Sequence, residues 1–461
     1  MNILTAKRFL FYWAVIALIG VSSCQKEQTS TEVLRPVSAY DHSILSIWND
    51  RFIETERYAE DFRPEPAARL LALLNLTTYE ACISGMPEYQ SIEHLYQGMF
   101  LPTAKEGQEY YWPAVVNSAQ HHLMSKLFAD LPAQYTDRLY TTWRYQNSIF
   151  KENTSEAVLL LSNDFGDAIA ESVWEWSKGD TYAYQANRNP YKNYNWEDHY
   201  QEAGDWRPTL PGPGKAAFPF WGQVRTFAIG DRDKLCFPPV PYSNASASRK
   251  REEAIEVYLK SGPNRSLEDQ WIAEFWSDDC EELTFSTASR WLSIATQIYR
   301  IENTDLATAV YANAKIALAL NDAAVACDFS KYYYNTERPE SYIQRELFPN
   351  YDTPLNHPLT GEQGISPSSP SYPSDHACFA GAAAAVLADL FGAEYVFTDE
   401  CHNNRVEFNG APRTFNSFSE MANECAISRI AMGVNFRNDV EAGLQLGQHC
   451  GQKVNDLPWK K

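Results

Sequence analysis

Between Ser155 and Lys178 the apolar residues Val158, Leu161, Phe165, Ile169, Val173 and Trp176 recur every three or four positions, the spacing of one face of an α-helix. Pro64 to Cys82 opens with prolines and then carries Leu70, Leu71, Leu73, Leu74 and Leu76. That apolar width is too great for a single stripe and predicts a helix buried on most sides. Ser266-Leu267-Glu268-Asp269 ahead of Trp271, Ile272 and Phe275 has the form of a capping box and predicts another helix start. Alanine-rich helical patterns cover Leu306 to Cys327 and Ala377 to Phe391, while strand-like alternation is scarce. The chain is therefore expected to be all-α, built as two packed helical bundles: an N-terminal half over 41–230 and a C-terminal half over 231–461.

One long interval breaks the helical pattern. Asp180 to Phe227 is rich in Tyr, Trp, Pro and Gly and includes Trp206-Arg207-Pro208-Thr209 and Phe218-Pro219-Phe220-Trp221. So many aromatics argue against disorder, and a loop of this length in a compact protein is expected to cover something. The N-terminus differs again. Residues 1–23 read as a signal peptide, with Lys7 and Arg8 ahead of a short apolar run from Phe9 to Gly20. Val21-Ser22-Ser23-Cys24 resembles a bacterial lipobox, in which the cysteine is lipidated and becomes the first residue. With the polar tether of 24–40, this predicts an exported chain lipid-anchored at Cys24 to a bacterial membrane, on its periplasmic or cell-surface side.

Composition narrows the classes. At 461 residues with 44% hydrophobic and 21% charged, the chain is long enough for a substantial core and is not a disordered polymer. A net charge of −20 speaks against a nucleic-acid partner, because such binders need basic surfaces to displace phosphate counterions. The eight cysteines beyond Cys24 contain no CxxC pair, so zinc-ribbon spacing is absent, and several lie in apolar helical patterns that favour buried thiols.

Three polar motifs carry the candidate chemistry. Lys331 and Arg338, just before Pro339, are seven residues apart and would lie two turns apart on one face if the segment is helical up to the proline. In Pro373-Ser374-Asp375-His376, Ser374 or Asp375 is a plausible N-cap, which places His376 beside free backbone N–H groups at the positive end of a helix. Ser428-Arg429 opens the third, which runs through Asn435 to Asp439. Together they supply three fixed cations, N–H donors and one proton donor, an inventory suited to a small oxyanion such as phosphate or vanadate.

The order Lys331, Arg338-Pro339, then Pro373-Ser374 and His376, then Ser428-Arg429, Gly433 and Asp439 resembles the superfamily that unites vanadium-dependent haloperoxidases, type 2 phosphatidic acid phosphatases and bacterial acid phosphatases. The similarity to its soluble haloperoxidase-like branch extends over Pro64 to Cys82, the loop at 206–209, Ser266 to Phe275 and Asp322 to Pro339. The resemblance implies two helical bundles. It makes Lys331, Arg338 and Arg429 clamps on the equatorial oxygens, with Ser374 and the backbone N–H of Asp375 as further donors. His376 becomes the acid/base, and vanadate, with phosphate as its isostere, the implied cofactor. Asp439 matches the carboxylate that orients the family's last histidine, the phosphatase nucleophile and vanadium ligand. That histidine is replaced here by Asn435, whose amide nitrogen can donate a hydrogen bond but is neither nucleophile nor ligand, so no direct protein ligand to vanadium is expected. Asp375 stands where the family has glycine, and His449 is expected to be an ordinary helix residue.

Overall fold

The computed structural model describes residues 35–59, 62–209 and 214–461. The signal peptide, Cys24 and the first ten residues of the tether lie outside the described residues. Among the described residues thirteen α-helices follow in order: α1 Ser43–Glu56, α2 Glu65–Cys82, α3 Trp112–Leu127, α4 Ala133–Phe150, α5 Glu156–Ser177, α6 Arg249–Ser261, α7 Leu267–Phe275, α8 Thr287–Glu302, α9 Leu306–Tyr334, α10 Pro339–Glu346, α11 Asp375–Phe391, α12 Phe418–Ala431 and α13 Arg437–Asn455. The described strands are β1 Phe397–Asp399 and β2 Arg413–Phe415, a short antiparallel pair. The protein is all-α, and among the described residues no helix is long and apolar enough to cross a membrane.

Local rules account for most of the boundaries. Ser155 caps α5 by accepting from the Val158 N–H, and Ser266 caps α7 by accepting from the Asp269 N–H. Every residue of α2 is buried, as its apolar width requires. On α5 the buried face runs through Leu159, Phe165, Ile169, Val173 and Trp176, with Leu159 in place of the expected Val158. The alanine-rich α9 is buried on all sides over most of its length and forms an axis packed by α2, α11 and α13. Gly447 permits the close approach of α13 to α11, since a Cβ there would come within 1.9 Å of the Cys378 carbonyl oxygen.

The expectation that Lys331 and Arg338 share one helix is wrong. Proline restricts the residue before it to extended conformations, so Arg338 (ψ 155°) cannot continue a helix into Pro339. Helix α9 ends instead at Tyr334 with Asn335 in the left-handed region at φ 49°, and Arg338 takes the N-cap position of α10. The long aromatic loop closes over this corner. Trp206 N–H donates to the Asn335 carbonyl at 2.8 Å and Glu337 N–H to that of Gly204 at 2.8 Å. Farther along, the buried Asp322 carboxylate of α9 accepts from the N–H groups of Phe227, Ala228 and Ile229.

Candidate functional site

The residues of the three motifs meet around the strap Ser369-Pro370-Ser371. Lys331 Nζ, on the last turn of α9, donates to the Pro370 carbonyl at 2.9 Å. Arg338 donates through Nε to the Ser369 carbonyl at 2.8 Å, and its two terminal nitrogens reach the Val434 carbonyl and Ser369 Oγ, each at 3.0 Å. Asn435 Nδ2 donates to the Ser371 carbonyl at 2.8 Å. Segments about 30 to 100 residues apart in sequence thus converge, and Lys331, Arg338 and Asn435 are all buried.

Helix α11 brings Ser374, Asp375 and His376. Ser374 occupies the N-cap position, but its hydroxyl makes no capping bond and is left without a partner; Asp375 is the first helical residue rather than the cap. His376 faces acceptors with both ring nitrogens: Nδ1 lies 3.1 Å from the Asp375 carboxylate and Nε2 lies 3.1 Å from the Ser277 carbonyl, with Thr287 Oγ1 at 2.9 Å.

Arg429, near the end of α12, forms a two-pronged pair with Asp279, its terminal nitrogens at 2.8 and 2.9 Å, while Nε has no partner. Asp279 Oδ1 also lies 3.7 Å from His376 Nε2, so Arg429 and His376 share one carboxylate. Beyond Arg429, Gly433 turns the chain at φ 80°, where a Cβ would come within 2.3 Å of the Tyr351 hydroxyl. That turn delivers Asn435 and Asp439. Asp439 Oδ2 accepts from Ser371 Oγ at 2.6 Å and from the Phe436 N–H at 2.8 Å.

The electrostatics centre on Asp375. Burial alone would raise its pKa, but Lys331, the bond to His376 and Arg338 outweigh burial and hold the carboxyl well below the usual range. Burial lowers Arg338, opposed by Asp375 and Asp439, and it would lower Arg429 too, were it not outweighed by Asp279. On the other side of Lys331, Glu65 at the start of α2 and Asp328 one turn back on α9 form a buried carboxyl pair. Burial and Asp375 push Glu65 up to about 7, and burial and Glu65 push Asp328 upward. The ion cluster thus holds its charge on Asp375 and a proton on the neighbouring pair.

Sequence reasoning missed Ser277, Asp279, Thr287, Glu65 and Asp328. The acidic run Asp278-Asp279-Cys280-Glu281-Glu282 was the available signal for Asp279; the others carried none. His449 lies on α13 with Nε2 2.8 Å from Asp233, a half-exposed pair away from these residues. The eight described cysteines are free thiols, seven of them buried. Beside the turn at 277–279 lies a cavity of about 280 Å³ lined by Ser277, Cys280, Leu283, Leu355, Phe408 and Met432.

The donors fit the equatorial oxygens of an oxyanion: Ser374 Oγ and Arg429 Nε are buried and unpartnered, and Lys331 has one hydrogen-bond partner for three protons. The apical position does not fit a vanadium centre. The three atoms within 3.5 Å of Asn435 Nδ2 are acceptors, in Ser371 and Asp439, so flipping the amide would set its oxygen against oxygens. Among the described residues no group of three or more His, Cys, Asp or Glu is placed to hold a metal ion.

Comparison with known proteins bears on the family and the fold. Residues 312–458 match the family model of the VCPO second helical-bundle domain. Vanadium chloroperoxidase of Curvularia inaequalis is 27% identical over 297 residues, 51% of this chain and 49% of that protein. Vanadium-dependent bromoperoxidase of Ascophyllum nodosum is 33% identical over 109 residues, 22% of this chain and 19% of that protein. The chain thus spans about half the length of the first of these relatives and less of the second. A crystal structure described as the first bacterial vanadium-dependent iodoperoxidase superposes with a TM-score of 0.78 at 26% identity, covering 91% of this chain and 97% of that one. A bacterial vanadium-dependent chloroperoxidase, 14% identical with a TM-score of 0.60 over 87% of this chain and 93% of that one, shares the fold. The chain belongs to the vanadium haloperoxidase superfamily.

Proposed function

We propose that this protein binds phosphate or vanadate in the cradle formed by Lys331, Arg338, Arg429 and Ser374, with no protein–vanadium bond, and that Asn435 cripples any peroxidation of halide by hydrogen peroxide. The observation that carries the reading is the pair of buried, unpartnered donors, Ser374 Oγ and Arg429 Nε, beside two further buried cations. A buried donor without an acceptor is costly, and an oxyanion would satisfy both. Charge-assisted bonds from the guanidinium groups would hold the guest, and His376 would deliver the proton at Nε2 or Nδ1. Asn435 contributes only a hydrogen bond to the strap, so the nucleophile of a phosphatase is missing as well.

Calorimetric titration with phosphate and vanadate tests this directly: saturable binding is expected, and no heat with either ligand refutes it. Halide oxidation assayed with vanadate and hydrogen peroxide should be slight in the natural protein and rise by about tenfold or more in Asn435→His, the change that restores the family's nitrogen ligand. Full peroxidase turnover by the natural protein would refute the second half of the proposal. Export and lipid anchoring at Cys24 belong to the same reading and rest on the Val21–Cys24 sequence. Palmitate labelling of the expressed protein should disappear in Cys24→Ser.

A further inference from the structure

Resting on the oxyanion reading, we propose that Asp375 is the resident counter-ion of the cation cluster and restricts the site to singly charged tetrahedral oxyanions, such as dihydrogen phosphate, against doubly or triply charged ones. Lys331, Arg338 and Arg429 are three fixed cations, and each acts electrostatically on the Asp375 carboxylate. Asp279, Asp375 and Asp439 offset them one for one. Asp279 is taken by Arg429, and Asp439 by the Ser371 hydroxyl and the Phe436 N–H. The His376 ring faces the Asp375 carboxylate with Nδ1 and the Ser277 carbonyl with Nε2, each at 3.1 Å.

Ionised, Asp375 leaves this cluster with one positive charge fewer than glycine at the same position would. In a buried site each further negative charge on the guest lacks a partner, and uncompensated buried charge is strongly unfavourable. Glycine at this position would leave room for a guest of higher charge. Asp375 cannot escape by turning away: it sits on the first turn of α11 with its side chain only 13% exposed and its Oδ1 bound to the His376 N–H at 2.7 Å and facing the ring. Every group acting on it is internal: Lys331 and Asp328 on α9, Glu65 on α2, Arg338 at the head of α10, His376 on its own helix and Arg429 on α12.

The test is calorimetry on the whole protein with two probes, phosphate and sulfate. Phosphate passes from one negative charge to two near neutral pH, whereas sulfate carries two throughout. The natural protein should bind phosphate at least tenfold more tightly at about pH 6 than at about pH 8, and should bind sulfate at least tenfold more weakly than phosphate at about pH 6. Asp375→Asn, which keeps the side-chain volume, should raise affinity for sulfate, and for phosphate at the higher pH, by at least tenfold. Asp375→Gly should do the same if the asparagine variant folds poorly. Equal affinities for the two probes at about pH 6, or variants that leave the preference unchanged, would overturn this inference while leaving oxyanion binding intact. Absence of binding by natural protein and variants alike would overturn both.

Discussion

Two clusters of buried positive charge stand in the same helical core, and they are finished differently. Around Arg290, wholly buried on α8, every guanidinium nitrogen has a partner, although Nδ1 of the neighbouring His402 has none. Nε and one terminal nitrogen donate to Asp399 at 3.1 and 2.9 Å, the other terminal nitrogen reaches the Phe275 carbonyl, Asp278 and His402, and the Phe275 and Trp276 rings lie against its faces. Burial would raise Asp278 and Asp399, but Arg290 holds both below the usual carboxylate range. Around Lys331, Arg338 and Arg429 the cations instead find backbone carbonyls, one shared carboxylate and Asp375, and the donors Ser374 Oγ and Arg429 Nε are left unpartnered. A saturated cluster is architecture; an unsatisfied one keeps bonding capacity for a guest. The two also touch, because the turn Ser277-Asp278-Asp279 gives Asp278 to Arg290 and Asp279 to Arg429.

Removing the cation from the saturated cluster should have the largest effect. Arg290→Met strands two buried carboxylates and is expected to cost about 3 to 5 kcal/mol in urea unfolding. Lys331→Met, whose one hydrogen bond goes to a carbonyl, should cost less than half as much, and equal losses would erase the distinction between the clusters. Next, Arg338→Ala or Arg429→Ala should weaken phosphate or vanadate binding by about 2 kcal/mol or more each in calorimetry, as expected for a charge-assisted contact. Unchanged affinity would return the second cluster to architecture.

A smaller effect follows from Glu65. Its folded pKa is raised to about 7, so the stability it contributes is fully present below its unfolded value near 4.5 and is lost as the pH rises through about 7. Glu80, likewise raised to about 7 by burial, acts with the same sign. Thermal unfolding should therefore show a loss of roughly 2 kcal/mol between about pH 5 and about pH 8, part of which Glu65→Gln abolishes. Smallest of all, His449→Gln should leave both stability and anion affinity within about 0.5 kcal/mol of the natural protein, since its pair with Asp233 is half exposed.

Much of the architecture was legible because helix signals are local. The cap at Ser266, the apolar face of α5, the apolar width of α2 and the alanine-rich α9 and α11 are each written within a few turns of chain. The same locality misled at Lys331 and Arg338: seven-residue spacing suggested one helix face, whereas the restriction that Pro339 places on its predecessor separates them into two elements. The cradle residues were legible as a set because their types and order recur in a known family, and the missing histidine was plain from Asn435 alone.

What the sequence determined by itself is the all-α class, the helix termini and the inventory of donors, since periodicity, capping and proline geometry act over single turns. What only the tertiary structure decided is which charges share one space. Asp279 reaches Arg429 across 150 residues of chain, Arg338 is bound to a carbonyl 96 residues away, and Glu65 meets Asp328 and Asp375 only because α2, α9 and α11 pack together. Coulomb energy depends on distance and on the water excluded between the groups, and neither quantity exists until the helices have packed.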